Sequence, residues 1–132
     1  MNRKYRSFAG TGIAAAVVAV SVLTAPTASA NDDDVIRRGN CSGATDWKLK
    51  ASPEDGRIEV EGEVDSFRKG QTWRWRIFHD GDVSARGTAT TRGPSGSFEV
   101  RRVVVNSRGV DTIGWRSVNT RSGEVCRGSL RF

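Results

Sequence analysis

The 132-residue sequence predicts an all-β protein, a single antiparallel sandwich of about seven strands behind a cleavable leader. Three observations carry that prediction. Apolar residues recur at every second position in short segments, and no window keeps the helical period of 3.6. Clusters of Gly, Pro, Asn and Asp separate those segments and supply the fixed or positive φ that turns require. Two cysteines stand near opposite ends of the chain that remains once the leader is removed, where one bond would close it.

In chain order, Met1–Ala30 has the parts of a secretory signal peptide. Arg3, Lys4 and Arg6 make a basic start, and Gly12–Ala25 is uncharged and rich in Ala and Val. Pro26 breaks that run, and Ala28-Ser29-Ala30 offers the small residues a signal peptidase accepts. The apolar run is short against the ~20 residues a membrane span needs, so cleavage after Ala30 and release are expected, with no span in the mature protein. Asn31–Asn40 holds three acids, a basic pair and one apolar pair, and reads as a flexible leader. The domain is expected at 41–132.

Seven alternating segments follow. Trp47, Leu49 and Ala51 alternate with lysines. Ile58, Val60 and Val64 share a segment with Glu59, Glu61 and Glu63. Trp73, Trp75 and Ile77 alternate with Arg74 and Arg76. Val83–Ala89, Ser97–Val105, Thr112–Val118 and Glu124–Phe132 complete the set. Turns are expected at Ser52–Gly56, at Gly93–Gly96 and, as a tight hairpin, at Asp80-Gly81. Short strands at such spacing point to a sandwich of immunoglobulin or fibronectin-III type. The cysteines sit outside the immunoglobulin pattern, because Cys41 precedes the first of these strands and Cys126 lies in the last. Export makes the Cys41–Cys126 disulfide the expected pairing, with a stabilisation of about 4–5 kcal/mol from loop closure.

Catalysis is not expected. His79 is the only histidine, placed just before the expected Asp80-Gly81 hairpin tip, where an exposed surface role is the simplest reading. Gly93-Pro94-Ser95-Gly96-Ser97 lacks the spacing of a nucleophile elbow. Glu59, Glu61, Glu63 and Asp65 read as a solvated stripe along one strand face, which gives no contrast between an acid and a base. No cofactor or metal site is expected.

Charge is the more informative feature. The leader holds three of the 21 basic residues and no acid, so 18 remain against all 15 acids, a balance of +3. That is modest for a dedicated nucleic-acid binder, which is not expected. It divides into −5 over residues 31–65 and +8 over residues 66–132. Fifteen of the 18 are Arg, whose planar fork suits phosphates and carboxylates. Arg74, Arg76, Arg86, Arg101, Arg102 and Arg116 are the candidate contacts for an anionic cell-envelope polymer. The opposing expectation pairs Arg74 and Arg76 with the Glu59/Glu61/Glu63 stripe on a neighbouring strand. Trp73 and Trp75 are expected in the core, with Trp47 or Trp115 the surface exception.

Cys41-Ser42-Gly43, Asp46–Lys50, Ser52–Val64, Pro94–Val100 and Ser122–Gly128 together resemble a group of small secreted proteins common in actinobacteria. The resemblance covers 41–132 and implies secretion, with no ligand or catalytic residue attached. The expected protein is a monomeric, non-catalytic binding or envelope-associated module. An inhibitor or docking module, engaging an extracellular protein through a loop such as Arg92–Ser97, is the alternative.

Overall fold

The computed structural model describes residues 33–132, and the expected signal peptide lies outside the described residues. Eight strands form: β1 (Val35–Asn40), β2 (Asp46–Glu54), β3 (Arg57–Asp65), β4 (Thr72–His79), β5 (Asp82–Thr90), β6 (Ser97–Val104), β7 (Thr112–Asn119) and β8 (Val125–Arg131). They make two antiparallel sheets of order β1-β2-β3-β6 and β5-β4-β7-β8. Pairing of β3 with β6 and of β4 with β7 joins strands that are not consecutive, the Greek-key device of sandwiches. The two-layer all-β class read from the sequence is the one observed.

β1 corrects the expected leader. Val35–Asn40 was read as flexible because it is short and polar, yet it pairs with β2 from Val35↔Ala51 to Asn40↔Asp46. Main-chain ladder bonds need no favourable side chain, and the bond at Cys41 anchors the segment beside its partner. Val35 packs against the core, and Asp34 meets Lys50 at 3.2 Å.

Alternation places one parity of every strand inside. Leu49, Ile58, Val60, Val64 and Phe98 face Trp73, Ile77, Ile113, Trp115 and Leu130 across the two layers. Trp75 and Trp115 stack with ring centroids 6.2 Å apart, and Phe98 tilts against Trp115 at 6.4 Å. Gly62 makes room for that stack, since a β-carbon there would overlap the Trp115 ring. Trp47 is the half-buried exception; it lies over Gly39 of β1 and Gly128 of β8, where the two sheets meet. Three of the four indoles are thus buried, which removes a coplanar pair of solvent-facing rings.

The hairpins are tight. Asp55-Gly56 and Asp80-Gly81 take φ values of 47°, 74°, 49° and 91°, the left-handed pairs that a two-residue turn between twisted strands requires. The Cys41–Cys126 bond is formed at the β1–β8 margin. Around it, Ser42 N donates to Val125 O at 2.8 Å and Val125 N donates to Ser42 Oγ at 2.9 Å. The Glu124 carboxylate accepts from Gly43 N, Thr45 N and Thr45 Oγ1, so the segment after β1 is tied to β8 by side chain as well as by sulfur.

Candidate anion-binding face

The outward positions of the second sheet follow from the same alternation. With Trp73, Trp75, Ile113, Trp115, Cys126 and Leu130 inside, Arg74, Arg76, Arg116, Arg127 and Arg131 point out, and Arg86 does so on β5. Register then sets four of them in one row. Arg86 lies opposite Arg76, Arg76 opposite Arg116, and Arg116 opposite Arg127. Neighbouring strands are about 4.8 Å apart, so the row carries four guanidinium groups across about 14 Å. The one carboxylate on β4, β5, β7 and β8 is Asp82, exposed at the hairpin end of β5 opposite His79 and away from the arginine row. No described carboxylate pairs with any of these six arginines. Arg74, Arg76, Arg116 and Val118 line a shallow hollow of about 190 Å³ on this face.

Four of the six candidate arginines are therefore brought together: Arg74, Arg76, Arg86 and Arg116. Arg101 and Arg102 are not, because β6 belongs to the other sheet. Arg101 is held at 2.8 Å by Glu99 and at 3.4 Å by Glu61. The Arg102 guanidinium sits 5.0 Å from the Trp75 ring centroid, a cation–π contact at the sandwich margin. Arg127 completes the row and was not singled out from the sequence. Its parity opposite the buried Cys126 and Leu130 was visible there, but the neighbour of β8 was not.

The glutamate stripe also sits elsewhere than expected. Arg74 and Arg76 do not neutralise it, since β3 lies between β2 and β6. Lys48 does, at 3.1 Å from Glu61 and 3.2 Å from Glu63, together with Arg101. Nor is the stripe solvated throughout, because Glu61 is only 6% exposed. Burial disfavours the Glu61 anion, but hydrogen bonding to Glu99 and Lys48 and the charges of Lys48 and Arg101 hold its pKa below the usual carboxylate value. Burial likewise works against charge on Lys48, and Glu61 and Glu63 outweigh it, raising the ammonium pKa.

His79 is a second correction. It is half-buried, and its Nε2 lies 2.6 Å from Oδ1 of Asp111, which is fully buried. Burial pushes the Asp111 carboxyl up, while hydrogen bonds from His79 and Ser107 pull it lower still. Asp80, beside it, accepts Thr112 N at 2.8 Å and so locks the hairpin to β7. His79, Asp80 and Asp111, and separately Glu61, Glu63 and Glu99, bring ligand-type atoms within 4.8 Å of one another. In both groups the protein's own hydrogen bonds and ion pairs engage these side chains.

Among the described residues no helix is long and apolar enough to cross a membrane. Comparison with protein-family models, with curated proteins and with solved structures gives no match, so function has to be read from the residues themselves.

Proposed function

We propose that this protein is a secreted, non-catalytic binding module that lays the outer face of its second sheet against an anionic polymer of the cell envelope. The row Arg86–Arg76–Arg116–Arg127 carries the proposal. Like charges directly opposite each other destabilise a sheet, by about 0.2–1 kcal/mol per pair on the scale of cross-strand effects. A face with only a structural role has no use for three such pairs in succession and no acid among them. Laid against a polyanion, the same row has its repulsion cancelled and its forks filled. Export rests on the leader at 1–30 and on the closed disulfide. The non-catalytic part of the reading is supported by Glu61, Glu63 and Glu99 being tied to Lys48 and Arg101.

Binding of long-chain inorganic polyphosphate and of a uronic-acid polymer, measured across a salt series, tests this. Each contact neutralised on a flexible polyanion contributes about −0.7 to the slope of log K against log salt. Changing Arg76, Arg86, Arg116 and Arg127 to Gln together is expected to flatten that slope by about 3 and to remove most of the affinity. A wild-type protein with no affinity for either polymer at low salt overturns the proposal.

One observation favours docking to a protein as the second reading. Phe67 is 64% exposed and held at φ 60° beside the Arg92–Ser97 loop, where Ser66 N donates to Gly96 O at 3.0 Å. If the loop end is the working surface, Phe67→Ser abolishes capture of an extracellular partner and leaves polymer binding intact.

A further inference from the structure

The groove at the end of the second sheet is built as an anion site in its own right. The β3–β4 and β7–β8 loops frame a volume of about 510 Å³ whose lining includes Arg68, Lys69 and Arg121 and no carboxylate. Two primary amides belong to the same lining, and each is oriented from behind. Asn119 is 4% exposed, and its Oδ1 accepts Arg121 N at 2.9 Å and Ser122 N at 3.1 Å. Gln71 Oε1 accepts Trp73 Nε1 at 3.2 Å. With both carbonyl oxygens engaged, the amide nitrogens are the ends left over. No described residue accepts from Asn119 Nδ2 or Gln71 Nε2. Neither nitrogen is among the described atoms sealed from solvent without a partner, so both reach the groove and are available to donate to a ligand there.

The chemistry of the donors selects the ligand. Three cations and two oriented N–H₂ groups, with both amide acceptors already used, repel a metal ion and offer little to a neutral sugar. They also exceed what one carboxylate can satisfy with a single charge and two oxygens. A phosphate monoester carries about −1.5 to −2 at neutral pH and three acceptor oxygens, which matches the set. The groove opens onto the arginine face, because Thr72 and Thr120, which line it, are exposed at the ends of β4 and β7 on the same parity as Arg76 and Arg116. Four residues of β4 separate Thr72 from Arg76, about 14 Å. We propose that this groove binds the terminal phosphate of the polyanion whose chain lies along the arginine row. This rests on the polymer reading of that face and narrows the polymer to a phosphate-terminated one.

Inorganic tripolyphosphate, titrated with Arg76, Arg86, Arg116 and Arg127 changed to Gln, probes the groove alone; long-chain polyphosphate probes groove and row together, and a sulfated polysaccharide probes the row without a phosphate terminus. In wild-type protein, tripolyphosphate should move the side-chain amide resonances of Asn119 and Gln71. Asn119→Asp keeps the two backbone bonds and replaces the donor by an anion. Arg121→Gln removes an exposed cation and keeps the test alive if the buried variant fails to fold. Each should weaken tripolyphosphate binding about tenfold, the loss of one charged hydrogen bond, and leave the sulfated polysaccharide within about twofold. Unchanged tripolyphosphate affinity in Arg121→Gln, or amide resonances that do not move, overturns the groove and leaves the row standing. Loss of tripolyphosphate in the groove variants, with long polymer indifferent to the row variants, overturns the row and leaves the groove.

Discussion

Lys48 on the first sheet lies between Glu61 and Glu63, at 3.1 and 3.2 Å, while Arg76 on the second lies between Arg86 and Arg116. Both are cations on a central strand with a strand on either side. The first has Arg38 opposite it on β1 and is held by carboxylates on β3, whereas the second has arginines opposite it on both sides. The first sheet spends Glu59, Glu61, Glu63 and Glu99 on Lys48 and Arg101, tying β2, β3 and β6 together by charge. The second tolerates repulsion between strands and keeps its cations available. A strand carries no label that separates these uses, so a basic residue acquires its role only from its cross-strand neighbours.

The contrast yields opposite expectations for similar substitutions. The largest concerns what the faces share: Trp115→Ala should destabilise the fold by about 3–5 kcal/mol, because the indole fills the space between both sheets, and chemical denaturation would register it. Next, Lys48→Gln should destabilise by about 1–3 kcal/mol, since it leaves Glu61 without its nearest cation. The reverse sign is expected on the other sheet, where Arg76→Gln should stabilise by about 0.2–1 kcal/mol, with the gain shrinking as salt screens the row. Equal signs for Lys48→Gln and Arg76→Gln would break the comparison.

Acid sharpens it. Glu61 and Asp111 have pKa values held below the ordinary ones in the folded state. Their contribution is therefore complete above the unfolded carboxylate pKa, about 4, and is lost as pH falls through the folded values. Glu61→Gln should flatten that acid limb in a denaturation series, and Arg76→Gln should leave its shape alone, because arginine does not titrate there. The smallest effect concerns Ser117, whose buried hydroxyl finds no partner among the described residues. Ser117→Ala should be neutral or stabilise by a few tenths of a kcal/mol, measured the same way.

What the sequence made legible was local. Period two placed Trp73 and Trp75 inside and Arg74 and Arg76 outside, and Asp80-Gly81 announced its hairpin, because both follow from geometry within one strand or one turn. Pairing between distant strands was not legible. The choice of β7 over β3 as the neighbour of β4 moved the glutamates away from Arg74 and Arg76, removed Arg101 from the candidate set and brought Arg127 into it. β1 was missed because an edge strand draws its stability from a neighbour's backbone and leaves no apolar period. His79 was misjudged because its partner, Asp111, arrives from a loop 32 residues on.

The Cys41–Cys126 bond has a mechanical consequence. It spans 85 residues, so tension applied to the chain on either side of that loop passes from one sulfur to the other and bypasses β2 through β7. Only β1 and the last residues of β8 lie in the loaded path. A polymer-bound molecule dragged by its flanking segments would peel Arg127 and Arg131 away, while Arg76, Arg86 and Arg116 stay gripped inside the covalent ring.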